Sequence, residues 1–214
     1  MNKYIAEFIG TYFLVATVIG SGIMADNLSN GNNAVALLGN TLATGAILYV
    51  LITIFGPLSG AHFNPIVSLV FYLRNEIQLK IFVFFSILQV LGGLFGTFLT
   101  HYIFEIDIIQ VSTNIRGELP LLISEMIATF GLIITILLTL RSKGNVAIAV
   151  ALFITAGYWF TSSTSFANPA VTIARIFTDT FTGISPKSIP FFILGQTIGA
   201  YLAYIFDKFL NESI

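Results

Sequence analysis

Two Asn-Pro pairs, Asn64-Pro65 in "SGAHFNP" and Asn168-Pro169 in "SFANPA", stand among apolar runs of this sequence. An amide side chain both donates and accepts hydrogen bonds, and polar groups in such surroundings mark functional positions. Asn is a favoured helix N-cap and Pro is favoured at the first helical position. Each pair therefore reads as the start of a short helix. A helix start carries unpaired N–H groups and partial positive charge. The residues just before, Gly60, Ala61 and His62 in one case and Thr164, Ser165 and Phe166 in the other, are placed to present carbonyls to a cavity.

Other chemistry is sparse. Glu7 and Glu125 are carboxylates several residues into apolar runs. They read as structural anchors, as proton-relay groups or as helix-end residues that snorkel. His62 and His101 have no spaced partner for a metal, and the chain has no cysteine. Disulfide, thiolate and cysteine–metal chemistry are excluded. Ser162, Ser163 and Thr164 are hydroxyls that nothing in the sequence activates. No Ser-His-Asp set, phosphate loop or metal cluster is present, so no enzyme and no cofactor is expected.

The elements that hold these residues are membrane spans. The 214 residues are 56% hydrophobic and only 9% charged, against about a quarter charged in soluble domains. Mean hydropathy is +0.93. The net charge of −1 gives nucleic acid no electrostatic reason to bind. Six stretches are long enough to cross a bilayer: 4–24, 34–56, 79–101, 119–140, 146–163 and 188–209. The first is read as a retained span, since Glu7 interrupts it and no cleavage site is clear. Two shorter stretches, 64–73 and 168–181, each begin at an Asn-Pro. With the N-terminus cytoplasmic, Lys3, Arg74, Lys80, Arg141, Lys143 and Lys208 fall inside, and Arg116, Arg175 and Lys187 outside. The positive-inside rule favours that orientation, with both termini cytoplasmic and the loop 102–118 external.

The halves resemble each other. "AEFIGTYFL" (6–14) matches "SEMIATFGL" (124–132), "HFNPIVSLV" (62–70) matches "FANPAVTIA" (166–174), and "LQVLGGLFG" (88–96) matches "GQTIGAYLA" (195–203). Three spans per half make the second half insert upside down, an inverted repeat of about 1–103 and 119–214 within one domain. Inversion brings the two short helix starts together near the bilayer midplane. Irregular backbone at that depth is tolerated only inside protein or along a water-filled cavity. Gly10, Gly92, Gly93, Gly96, Gly195 and Gly199 read as close helix contacts.

On these motifs the whole chain resembles the aquaporin, or major intrinsic protein, family, and "NPAVTIARIFTDTFTGISP" is similar to a divergent microbial, aquaglyceroporin-like branch linked to metalloid transport. The resemblance implies an all-α membrane protein of six transmembrane helices and two re-entrant half-helices. It implies a homotetramer in the plasma membrane, with one pore per protomer. It also implies that Asn64 and Asn168 donate to the permeant at the central constriction. The resemblance further implies that Glu7 and Glu125 accept hydrogen bonds from the re-entrant loops and that His62 is structural, its carbonyl facing the pore.

Two departures from the family pattern bear on selectivity. The first motif ends in Ile66 rather than Ala, which leaves the Asn cap intact. The second has Val171 where the family usually has a filter arginine. Counting from the motifs, the filter becomes Thr44, Ala156, Ser165 and Val171, all small or medium and uncharged. A wide pore for small neutral solutes is expected: glycerol-like polyols, undissociated arsenous acid, urea or ammonia, with water. A water-selective pore and a coupled secondary transporter are the alternatives. Arg175, four residues past Val171, lies on the same helix face. It either overhangs the outer vestibule or pairs with Asp179.

Overall fold

The computed structural model describes residues 1–212, with side chains through 210. Every regular element among them is helical. The spans are α1 (Asn2–Leu28), α2 (Asn33–Ser59), α4 (Leu79–Ile103), α5 (Leu119–Arg141), α6 (Val146–Phe160) and α8 (Ile189–Glu212). The half-helices are α3 (Pro65–Leu73) and α7 (Pro169–Ala174), α7 running into a 3-10 turn over Arg175–Phe177.

Most boundaries follow from caps. Asn32 caps α2 through Ala34 and Val35, and Asn145 caps α6 through Ile148. The α2 helix runs through Pro57 to Ser59, past the expected end at 56, and stops at Gly60 with φ of 89°. That left-handed conformation suits glycine. Two expectations need correction. The α6 helix is only 15 residues long and ends at Phe160 rather than 163. It spans roughly 22 Å at 1.5 Å per residue. The second half-helix ends at Phe177 rather than 181, because Thr178 is already extended (φ −135°).

Packing repeats across the two halves. The α1 helix lies along α4 and α2, and α5 lies along α8 and α6. Each half-helix packs on both α4 and α8, and the halves join through α2 against α6. Glycines set the closest approaches. A Cβ at Gly92 would sit 2.3 Å from the Phe8 carbonyl oxygen, and at Gly96 2.6 Å from that of Tyr12. In the other half, Gly195 and Gly199 would meet the Leu122 and Met126 carbonyl oxygens at 2.4 and 2.3 Å. Only a residue without a side chain admits backbones this near.

The loop 104–118 turns back over one face. The Ser112 N–H donates to Ile176 O (2.9 Å), Ser185 N–H to Asn114 O (2.7 Å) and Arg116 N–H to Ser188 Oγ (2.8 Å). His101, fully buried, ties α4 to both loops through Ile108 O and Thr178 Oγ1, each at 2.8 Å. On the opposite face Asp207 of α8 bridges Arg74 and Arg141 (2.5 Å to the latter), fastening the ends of α3 and α5.

Candidate functional site: the central cavity and its outer mouth

The two segments before the half-helices have backbone that only a strong anchor can hold. Gly60, Ala61 and Phe63 have positive φ, and so do Thr164, Ser165 and Ala167 at the matching places. Five of these six are not glycine, and left-handed backbone costs such residues about 1–2 kcal/mol each. A buried carboxylate compensates in each half. Glu7 accepts from His62 N–H (3.0 Å), Phe63 N–H (2.7 Å), Ser59 Oγ (2.6 Å) and Gln89 Nε2 (2.7 Å). Glu125 accepts from Phe166 N–H (2.9 Å), Ala167 N–H (2.8 Å) and Gln196 Nε2 (2.7 Å). Both glutamates are fully buried. A carboxylate receiving several N–H groups suits this task, since charge-assisted bonds are the strong ones.

With each loop held, the asparagines face each other. Asn64 Oδ1 accepts from Ile66 N–H (2.9 Å), and Asn168 Oδ1 from Ala170 N–H (2.9 Å) and Val171 N–H (3.4 Å). Asn64 Nδ2 donates to Ala167 O at 2.7 Å, and Asn168 Nδ2 donates to Phe63 O at 2.9 Å. An amide has two N–H donors. One from each Asn closes the loops onto each other, and the second is left for the cavity that both residues line.

That cavity has a volume of about 540 Å³. It extends from the α5–α6 turn at Gly144 and Asn145, past Asn64 and Asn168, to Ser165 and Arg175. Leu14, Val18, Leu132, Ile136 and Val150 make its walls apolar. Polar groups run down it: Gly60, Ala61, His62 and Phe63 on one side of the asparagines, and Ser165 and Phe166 on the other. The Ser165 hydroxyl has no partner within the protein. His62 is buried beneath Phe71 and Phe85, with Nδ1 3.0 Å from Ser68 Oγ. Thr164 lines a second, outer cavity rather than this one.

At the outer end the structure rearranges the expected filter. Thr44, Ser165 and Val171 line the cavity. Ala156 does not; it is exposed on the outside of α6. Tyr158, two residues on and 5% exposed, takes that position, its hydroxyl 3.2 Å from Thr44 Oγ1. Counting from the motif fails here because α6 is short and the helix phase decides which residue points inward.

Arg175 also differs from both expectations. It does not pair with Asp179, which accepts from Thr113 N–H (2.8 Å) and hydroxyl (3.2 Å). Nor does it overhang the mouth: it is 3% exposed and lines the cavity. Its guanidinium lies 3.6 Å from the Phe166 ring centre, and its Nε donates to Thr182 O. A cation therefore stands at the outer end although Val171 supplies none. Arg116, in the loop, reaches Phe166 from further away (5.7 Å) and donates to Ser162 O (2.9 Å). Burial pushes its pKa down, partly offset by Glu125 and Tyr158.

Gln89, Gln196, Tyr158 and Arg116 hold or line the site without having been assigned to it from sequence. The matched Gln positions in the repeat were the available signal for the first two. Five helices long and apolar enough to cross a membrane, a shorter sixth apolar helix, two half-helices meeting start to start, and a polar-lined cavity between them define a membrane channel fold. The chain belongs to the major intrinsic protein family, whose model matches residues 1–146. It is 49% identical over 212 residues to Aquaglyceroporin AqpS of Rhizobium meliloti (strain 1021), covering 99% of this chain and 91% of that one. It is 33% identical over 145 residues to Aquaporin NIP1-1 of Arabidopsis thaliana, covering 64% and 48%. The aquaglyceroporin from Plasmodium falciparum superposes with a TM-score of 0.78 at 22% identity, covering 97% and 95%, a likeness of fold.

Proposed function

We propose that this protein is a passive channel for small neutral solutes, glycerol-like polyols first, with undissociated metalloid acids, urea or ammonia and water as further candidates. The 540 Å³ cavity carries this reading: its walls are largely apolar, with polar groups on either side of the two asparagines. A polyol needs that combination, because its carbons want a greasy wall while each hydroxyl trades water for a protein partner. Asn64 and Asn168 act as central donors. The carbonyls of Gly60, Ala61 and His62 accept on one side, as does that of Thr164 at the outer mouth. The filter consists of Thr44, Tyr158, Ser165, Val171 and Arg175. Likeness to an aquaglyceroporin along nearly the whole chain supports the same substrate class.

Ions are excluded by desolvation that nothing repays, and cations also by Arg175 and the two positive helix starts. Among the described residues no cluster of His, Asp or Glu is placed to hold an ion, which leaves a coupled transporter without a supporting observation. The domain consists of inverted repeats 1–103 and 119–214. The protein sits as a homotetramer in the plasma membrane with both termini cytoplasmic. Tyr158 and Arg175 narrow the outer end relative to four small residues, and this specific observation favours water selectivity as the second reading. Proteoliposomes exposed to water, glycerol, urea, ammonia and arsenous acid separate the two. Glycerol flux well above that of empty vesicles is expected. A pore that passes water and nothing larger overturns the first reading.

A further inference from the structure

The outer cavity, about 440 Å³, is lined by Arg116 and Arg175 together with Tyr158, Thr164, Asn40 and Asn114. No carboxylate lines it. None of the ion pairs among the described residues involves either arginine. Buried charges are normally paired, yet Arg175 is 3% exposed, touches the Phe166 face and one carbonyl, and feels the Glu125 charge without forming an ion pair with it. Arg116 faces the same ring, with one donor on Ser162 O. Two guanidinium groups thus converge around Phe166, with most of their ten N–H donors uncommitted. Nearby amides are committed: Asn40 Nδ2 donates to Val18 O (2.7 Å) and Asn114 Nδ2 to Gly183 O (3.1 Å).

We propose that this outer cavity binds a small oxyanion between Arg116 and Arg175. Planar guanidinium forks match the paired oxygens of a phosphate or carboxylate. The site shares Tyr158 and Arg175 with the central cavity. A bound oxyanion therefore covers the outer end of the pore and slows neutral solutes, while being too costly to desolvate for passage itself. Occlusion rests on the channel reading; binding does not.

Equilibrium dialysis of the full-length protein in detergent, with radiolabelled inorganic phosphate at low ionic strength, tests binding without any flux. Saturable binding at one site per chain is expected. Arg116→Gln should weaken it by at least about fivefold, and Arg116→Lys, which keeps the charge but not the fork, by less. Formate competing for the site extends it to carboxylates. Absence of saturable binding at millimolar phosphate overturns the proposal, as does wild-type affinity in a folded Arg116→Gln protein. Should Arg116→Gln fail to fold, unchanged affinity in Arg116→Lys together with insensitivity to formate does the same. In proteoliposomes, external phosphate should slow water and glycerol flux with the same half-saturation, relative to a non-coordinating salt of equal ionic strength. Flux unaffected at saturating phosphate removes the occlusion; vesicles with no flux at all count against the channel and leave the dialysis result standing.

Discussion

Asn64 and Asn168 each close the loop that carries the other: Asn64 donates to Ala167 O and Asn168 to Phe63 O, at 2.7 and 2.9 Å. The helix starts are thus clamped face to face by the side chains that cap them. Replacing either Asn by Ala removes a cap, worth roughly 0.5–2 kcal/mol, and one buried cross-link of about 1 kcal/mol. Both mutants should melt at lower temperature and conduct less. Asn64→Asp and Asn168→Asp keep the cap acceptor but lose the donor. They should therefore lose conductance more than cap strength, read by swelling and by thermal unfolding side by side.

Glu7 and Glu125 hold strained loops through backbone N–H groups. Glu7→Gln and Glu125→Gln are nearly isosteric, but each turns an acceptor into a donor facing donors. Each buried N–H left without a partner costs roughly 1–3 kcal/mol. Thermal unfolding should shift clearly downward in both. A proton-relay or snorkelling role predicts little change in melting, so an unmoved transition would remove the anchor role.

Much of this site was legible in the sequence. The Asn-Pro caps, the glutamates and the glycine contacts all follow from local rules: capping preference, intramembrane charge and small-residue packing. What was not legible depends on helix phase and loop course. Thr44, Ser165 and Val171, placed by counting from the two motifs, do line the cavity. Ala156 was placed by counting along α6, and it points outward while Tyr158 points in. Arg175 turns inward because the 3-10 turn at Arg175–Phe177 tightens the chain there and Phe166 offers its face. Neither cause has a sequence signature at i,i+4 spacing.

Val171 lines the cavity beside Asn168, one helical turn before Arg175. Val171→Arg would add a third guanidinium beside Arg175 and Arg116 and fill the space a polyol needs. A barrier raised by about 1.4 kcal/mol is a tenfold loss of rate. Glycerol flux should fall by at least that much in proteoliposomes and water flux by less. Arg175→Met removes the existing cation, and a pH-sensitive dye inside the vesicles should then report more proton entry than for wild type. Proton entry equal to wild type would mean that the central barrier of Asn64, Asn168 and both helix starts suffices alone.

Gly10 links span packing to the pore. A Cβ there would stand 2.0 Å from Phe63 Cε1, so the Phe63 ring, in a residue only 2% exposed, would have to shift. Phe63 also lends its N–H to Glu7 and its carbonyl to Asn168. Gly10→Ala therefore pushes on the ring of a residue whose backbone closes the clamp. Overpacking of this kind costs about 1–3 kcal/mol. The expected result is lower melting together with lower conductance in protein that remains folded and membrane-inserted. Flux and melting equal to wild type in Gly10→Ala would mean that the clamp tolerates displacement of the Phe63 ring.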